Sequence, residues 1–187
     1  MSIITSVLPD YVTVRGKKYQ IRTDFKVWLE FSEILTKNIS WAEKVIKMLN
    51  LTFPELPSNL AEALSTVMDF YSHSADSEKK DENSLKKACF DFEYDADLIY
   101  SAFYQQYNID LTEASMHWWK FKALLSSLSE DTHFIKVVQY RSIDISKIKD
   151  KEQKKFYNSM KKRYKLPDKR SEEEKELCLN NAIETLF

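Results

Sequence analysis

Three stretches of the chain hold residue types and spacings that could do chemistry. The first is MHWWKFKALL, Met116 to Leu125, with a histidine, two adjacent tryptophans, two lysines and a phenylalanine. Such a set could stack bases, line a catalytic pocket or pack a helix into a core. The second is DFEYDAD, with Asp91, Glu93, Asp95 and Asp97 at alternate positions. Paired carboxylates ligate hard cations or serve as acid and base. The third is DISKIKDKEQKKFYNSMKKRYKLP, where Lys147, Lys151, Lys154, Lys155, Lys161, Lys162 and Lys165 recur. A row of ammonium groups can grip phosphates or meet an acidic protein surface.

Periodicity weighs these readings. Ala114, Trp118, Phe121, Leu125 and Leu128 recur at steps of four and three, which is the stripe of a core-facing helix. Met116, Trp119 and Ala123 widen it, and Thr112 is the expected N-cap. A base-stacking platform would instead expose its rings beside a basic track. His117 falls off the stripe and reads as a surface or hydrogen-bonded histidine rather than a ligand. The carboxylate run has no glycine to shape a cation loop, and a charge-enriched helix start explains it through the helix dipole. The three histidines, His73, His117 and His133, show neither HxxxH nor HExxH spacing. Neither Cys89 nor Cys178 is flanked by a base motif. No catalytic centre, metal or cofactor is expected.

The lysines order themselves. At roughly 100° per residue, the seven named lysines fall within about a third of a helical circle, while Phe156, Tyr157, Met160 and Tyr164 take the opposing side. This predicts a basic amphipathic helix ending at Pro167, and its lysines are the candidate partner-binding residues. Lys147 to Arg170 hold eleven basic and three acidic residues, net +8; Ser171 to Phe187 hold one and five, net −4. The two stretches are complementary and could meet within one chain or between copies.

The elements that must position these groups read as mostly helical. YVTVRGKKYQI, Tyr11 to Ile21, is a β-hairpin turning at Gly16. Asp24 opens a helix with Phe25, Trp28, Leu29 and Leu35 inward. Ser40 and Glu43 form a capping box before Val45, Met48 and Leu49. After Pro54 and Pro57 a helix from Ser58 shows Leu60, Leu64, Val67 and Tyr71. SHSADSEKKDENS, about residues 72–84, reads as a mobile polar loop. A helix from about Asp95 carries Leu98 and Ala102 inward with Ile99 and Phe103 on the flank. Another near Ser129 or Asp131 carries Phe134, Val137 and Val138. SEEE at Ser171 opens an acidic C-terminal helix through Leu179, Ile183 and Leu186. The expected fold is mainly α, one helical domain over 1–170 with a small N-terminal hairpin, plus the 171–187 helix.

Composition sets bounds. The 187 residues carry 28 basic and 29 acidic side chains, so no global field points at nucleic acid or membrane. Two distant cysteines exclude a disulfide framework and suit a reducing cytoplasm. One glycine argues against Walker and Rossmann phosphate loops. The N-terminal residues read as neither signal peptide nor anchor, and no run approaches a membrane span.

The order Asp95-Ala-Asp-Leu-Ile-Tyr100, Phe103, Gln105-Gln-Tyr107, Ile109-Asp-Leu111, MHWWKF and Tyr140-Arg141 resembles the bacteriophage "gene product fifteen" proteins of siphophage and prophage tail modules in Gram-positive bacteria. The resemblance spans about residues 10 to 165. It implies a tail-assembly role like that of the chaperones that precede the tape-measure protein. Such a chaperone would bind that protein and copies of itself in the host cytoplasm, and would be absent from the finished virion. It brings no catalytic residues. The rival expectations are a structural tail or connector component and a nucleic-acid-binding regulator; an enzyme ranks last.

Overall fold

The computed structural model describes residue 4 and residues 6–72 and 89–167. Most of the expected polar loop and the whole expected helix at 171–187 lie outside the described residues, as do His73 and Cys178. Within them, a two-stranded hairpin precedes seven α-helices, the mainly helical fold expected.

Strands β1 (Tyr11–Val14) and β2 (Lys17–Gln20) pair antiparallel, Val12 opposite Tyr19 and Val14 opposite Lys17. Arg15 and Gly16 both adopt positive φ, 49° and 74°, as a tight two-residue hairpin turn requires. Val12 and Val14 face the core. The Arg15 amide donates to Glu62 at 2.9 Å, pinning the turn to the next layer.

Helix α1 (Phe25–Thr36) is capped by Asp24, whose carboxylate accepts the Lys26 amide. It buries Phe25, Trp28, Phe31 and Ile34, one per turn. Helix α2 (Trp41–Thr52) starts at Ser40, which accepts the Glu43 amide, and ends under Arg22. That guanidinium donates to the Asn50, Leu51 and Phe53 carbonyls at 3.0, 2.8 and 3.1 Å, satisfying groups a helix C-terminus leaves open.

Helix α3 (Leu60–Ser72) corrects the expected stripe. Ala63, Val67 and Phe70 are buried, while Leu64 and Tyr71 are half-buried and Leu60 is 45% exposed. Helix α4 (Ala96–Tyr107) buries Ile99, Ala102 and Phe103, leaving Leu98 only half-buried, and ends on Asn108 in the left-handed conformation.

Helix α5 (Trp118–Ser126) begins later than the sequence suggests, and Thr112 is not its cap. The Thr112 amide and hydroxyl both turn to Asp110, at 2.9 and 2.6 Å. Residues 116–118 instead pair as an extended bridge with 23–25: the Phe25 amide donates to Met116 and the Trp118 amide to Thr23. That pairing forbids helical dihedrals until Trp118. Ala114 and Met116 therefore precede the helix, and Ala123 on it is exposed. His117 caps α5 through Nδ1, which accepts the Trp119 amide.

The opening stretch is core, as its period required. Trp118 and Phe121 are 1% and 0% exposed. Phe121 stacks between Phe25 and Phe103, with ring centroids at 4.8 and 5.1 Å. Trp118 stacks on Tyr71 at 5.4 Å. Burying each such ring contributes about 1.5–3 kcal/mol. The polar atoms of these residues close the end of α3. The Trp119 indole donates to the Phe70 carbonyl, and the Trp118 indole and Lys122 Nζ both donate to Tyr71, all at 3.0 Å. Burial holds the Lys122 pKa below the usual lysine range. Helix α6 (His133–Ser142), capped by Thr132, adds Phe134 and Val137 to the core; Val138 is half-buried.

Candidate protein-docking helix

The candidate lysines centre on helix α7 (Lys151–Arg163), which Asp150 caps by accepting the Gln153 amide. The expected continuous helix from Lys147 is interrupted. Lys147 lies in a separate 3-10 turn (Ile145–Lys147) capped by Asp144, and residues 148–150 break the run. Lys165 lies beyond the helix end. Lys151, Lys154, Lys155, Lys161 and Lys162 share α7; Lys161 is half-buried and the others are exposed. Lys147 makes only a loose pair with Asp144 at 3.9 Å. The Asp144 carboxyl is held below its usual range chiefly by hydrogen bonds from Ser146, with Lys147 and Lys161 adding to it.

Helix α7 contains no buried residue. Its inner side rests on Tyr140 of α6, which stacks on Tyr164 at 5.9 Å and meets Phe156 at 6.1 Å and Tyr157 at 6.3 Å. His133 Nε2 lies 3.3 Å from the Tyr164 hydroxyl. Phe156 stays 49% exposed. A helix seated this way presents ammonium groups on one side and an uncovered aromatic edge beside them.

One polar knot ties α7 to the body, and no local pattern announced it. Asp95, 1% exposed, receives Arg141 as a bidentate pair at 2.6 and 2.8 Å and also the Asp91 amide at 3.0 Å. The same guanidinium donates to the Cys89 carbonyl at 3.2 Å and, through Nε, to the Tyr164 carbonyl at 2.6 Å. Asp95 thus starts α4 without capping it. Asp91 does the local turn work, accepting the Glu93 and Tyr94 amides at 3.0 and 2.9 Å. Asp97 stands in the first turn of α4, where the dipole favours it. The acidic run therefore divides between a helix start and a buried ion pair. Among the described residues, no three metal-ligating side chains converge.

A concave surface lies beside α5 and α6. An apolar groove of about 430 Å³ is walled by Phe90, Phe92, Trp118, Leu125, Phe134, Ile135 and Val138, with Lys122 and Tyr71 among its lining. None of the candidate lysines lines it. No described helix is long and apolar enough to cross a membrane.

The family model described as Bacteriophage Gp15 protein matches residues 4–166. The chain belongs to the bacteriophage Gp15 family. No curated protein and no solved structure matches it significantly. Within this phage family member, the residues that suggested the resemblance serve the fold. Trp118, Phe121, Ile99 and Phe103 build the core, while Asp95 and Arg141 join α4, α6 and the end of α7. The match stops at residue 166, just past the α7 lysines.

Proposed function

We propose that this Gp15 family protein assists assembly of the phage tail, holding helical segments of the tape-measure protein while the tail tube forms around them. The observation that carries the reading is α7. Among the described residues helices α1 to α6 each bury side chains, whereas this thirteen-residue helix buries none and exposes Lys151, Lys154, Lys155 and Lys162. An amphipathic helix held by a few aromatic contacts can take a second helix against its free side. Ammonium groups beside an aromatic edge suit an acidic, amphipathic helical partner. The lysines would steer and register the encounter more than supply its affinity.

In this reading the protein works in the host cytoplasm, associates with the tape-measure protein and with its own copies, and leaves before the particle is complete. It performs no covalent chemistry. The test is quantitative mass spectrometry of purified virions against lysates of infected or induced cells. A chaperone is abundant in the lysate and missing from the particle. A fixed copy number in the particle would make it a structural component instead.

A further inference from the structure

Helix α7 leaves an aromatic edge uncovered. On a helical projection at roughly 100° per residue, Tyr157, Met160, Lys161 and Tyr164 form the half-buried side that faces the body. Phe156, 49% exposed, stands at one border of the exposed arc. Arg163 lies nearest to it on that arc, then Ser159, then Lys155 and Lys162, all exposed. Glu152 is the one acid of the helix. Lys154 and Lys161 lie on the far side of the helix from Phe156 and take no part. The result is a half-uncovered ring with three cations along one side.

A recess elsewhere on the molecule has the complementary character. It holds about 200 Å³, its walls include Leu29, Phe92, Ile99, Leu111 and Phe121, and no residue of α6 or α7 lines it. An apolar cavity of about 150 Å³ already accepts a benzene ring. Tyr100 lines the recess, and Tyr104, 52% exposed, stacks on it at 6.1 Å. Asp97, Tyr100 and Tyr104 recur at steps of three and four, so exposed Asp97 shares this outer side of α4. The Tyr100 hydroxyl donates to Asp110 at 3.3 Å. Burial raises the Tyr100 pKa, and the nearby charges of Asp110 and Glu113 add to it. Lys26 is the one cation in the lining, and its Nζ donates to the Thr112 carbonyl at 2.7 Å. An apolar hole with a tyrosine pair and three acids about it suits an aromatic ring that arrives with cations.

From this match of size and charge we infer that Phe156 of one copy docks in the recess beside α1 and α4 of a second copy, with Lys155, Lys162 and Arg163 set against Asp97, Asp110 and Glu113 of that copy. Within one chain α7 rests on α6 through Tyr140, away from the recess, so the contact joins two molecules. It joins unlike surfaces, and therefore repeats as a ring or chain, or closes as a pair that exchanges both. The buried ring supplies the affinity and the charges fix the register. The inference rests on the self-association in the function proposed above and names its surfaces. A second copy and a tape-measure helix would then compete for the outer side of α7.

The test uses the full chain alone, in analytical ultracentrifugation, with two variants that each spoil one surface. Phe156→Glu removes the ring, and Asp97→Lys with Glu113→Lys reverses the rim of the recess. All three positions are exposed, so both variants should melt near wild type. Wild type should self-associate at low salt, and less as salt rises. Each variant alone should associate at least about tenfold more weakly, as loss of a buried aromatic anchor does. Their equimolar mixture should recover a one-to-one heterodimer that grows no further, because each keeps the surface the other lacks. Should Phe156→Glu unfold α7, Phe156→Ala serves in its place. Ala96→Phe, which sets a ring of the chain's own in the recess, should act as the acid reversals do. Wild type that stays monomeric at millimolar concentration would overturn the proposal. So would variants that associate as wild type does, or a mixture that recovers nothing, either of which would point to a different interface. Association without tape-measure binding would refute only the tape-measure reading, and tape-measure binding by a strictly monomeric chain only this contact.

Discussion

Arg141→Met asks whether α7 hangs from one buried guanidinium. The side chains of Arg141 and Asp95 are 7% and 1% exposed, so water cannot replace what the substitution removes. Four donated hydrogen bonds disappear, two to the Asp95 carboxylate and one each to the Tyr164 and Cys89 carbonyls. Summed at about 1.5–3 kcal/mol per bond to a charged group, they would overstate the loss, because they share one side chain. The governing term is the carboxylate left buried without its partner, for which about 3–5 kcal/mol is typical. Urea denaturation should therefore lose about 3–5 kcal/mol. Amide exchange should rise first in α7, which has no buried side chain of its own to hold it. The double variant Asp95→Leu with Arg141→Met, which leaves no orphan charge, should recover most of the loss. A single variant within about 0.5 kcal/mol of wild type, the range of ordinary surface substitutions, would refute the reasoning.

Three further outcomes follow from the packing. Trp118→Ala should cost about 3–5 kcal/mol in denaturant unfolding, and a fully stable variant would show that the ring is not core. His117 titrates below its usual value of 6.5, mainly through burial, and its Nδ1 must stay unprotonated to accept the Trp119 amide. The unfolded chain therefore takes up the proton first. His117's contribution is complete above about pH 6.5 and drains as pH falls from there toward the folded-state value. Stability measured across pH 5–8 should show that drop in wild type and lack it in His117→Asn, which keeps a capping acceptor; identical curves would contradict the assignment. Gly16→Ala should cost about 1–2 kcal/mol, the strain of a left-handed φ, since nothing lies within 4 Å of the added Cβ; Gly16→Asn should cost less than half of that by thermal melting.

Where side-chain period and capping chemistry act locally, the sequence was readable. Gly16, Asp24 and Ser40 mark the turn and two helix starts, and Trp118 and Phe121 sit in the core their spacing predicted. The errors arise where distant segments decide. Thr112 looks like a cap, yet the pairing of residues 116–118 with 23–25 holds the chain extended for another turn. On α3 two apolar stripes overlap. The buried one passes through small Ala63, beside the Glu62 that anchors the hairpin turn, so size and neighbours decided what hydrophobicity left open. Asp150 interrupts the lysine run because it caps; its spacing to Gln153 was the available signal. The Asp95–Arg141 pair joins residues 46 positions apart, and no local pattern shows that either side chain is buried. Five of the seven candidate lysines do share one helix, but which surface a partner uses depends on what the fold leaves uncovered.

The central claim concerns a partner, and co-expression with the tape-measure protein of the same genome tests it most directly. Wild-type chain should co-purify with that protein and keep it soluble. The variant with Lys154, Lys155, Lys161 and Lys162 changed to glutamate should fold as wild type and lose the complex. Binding of random duplex DNA should be no tighter than about 10⁻⁵ M at physiological salt. A tape-measure protein that ignores the wild-type chain, or is captured equally by the reversed variant, would contradict the account. Submicromolar DNA binding that survives about 150 mM salt would replace it with a nucleic-acid role, because counterion release should have abolished weak contacts by then.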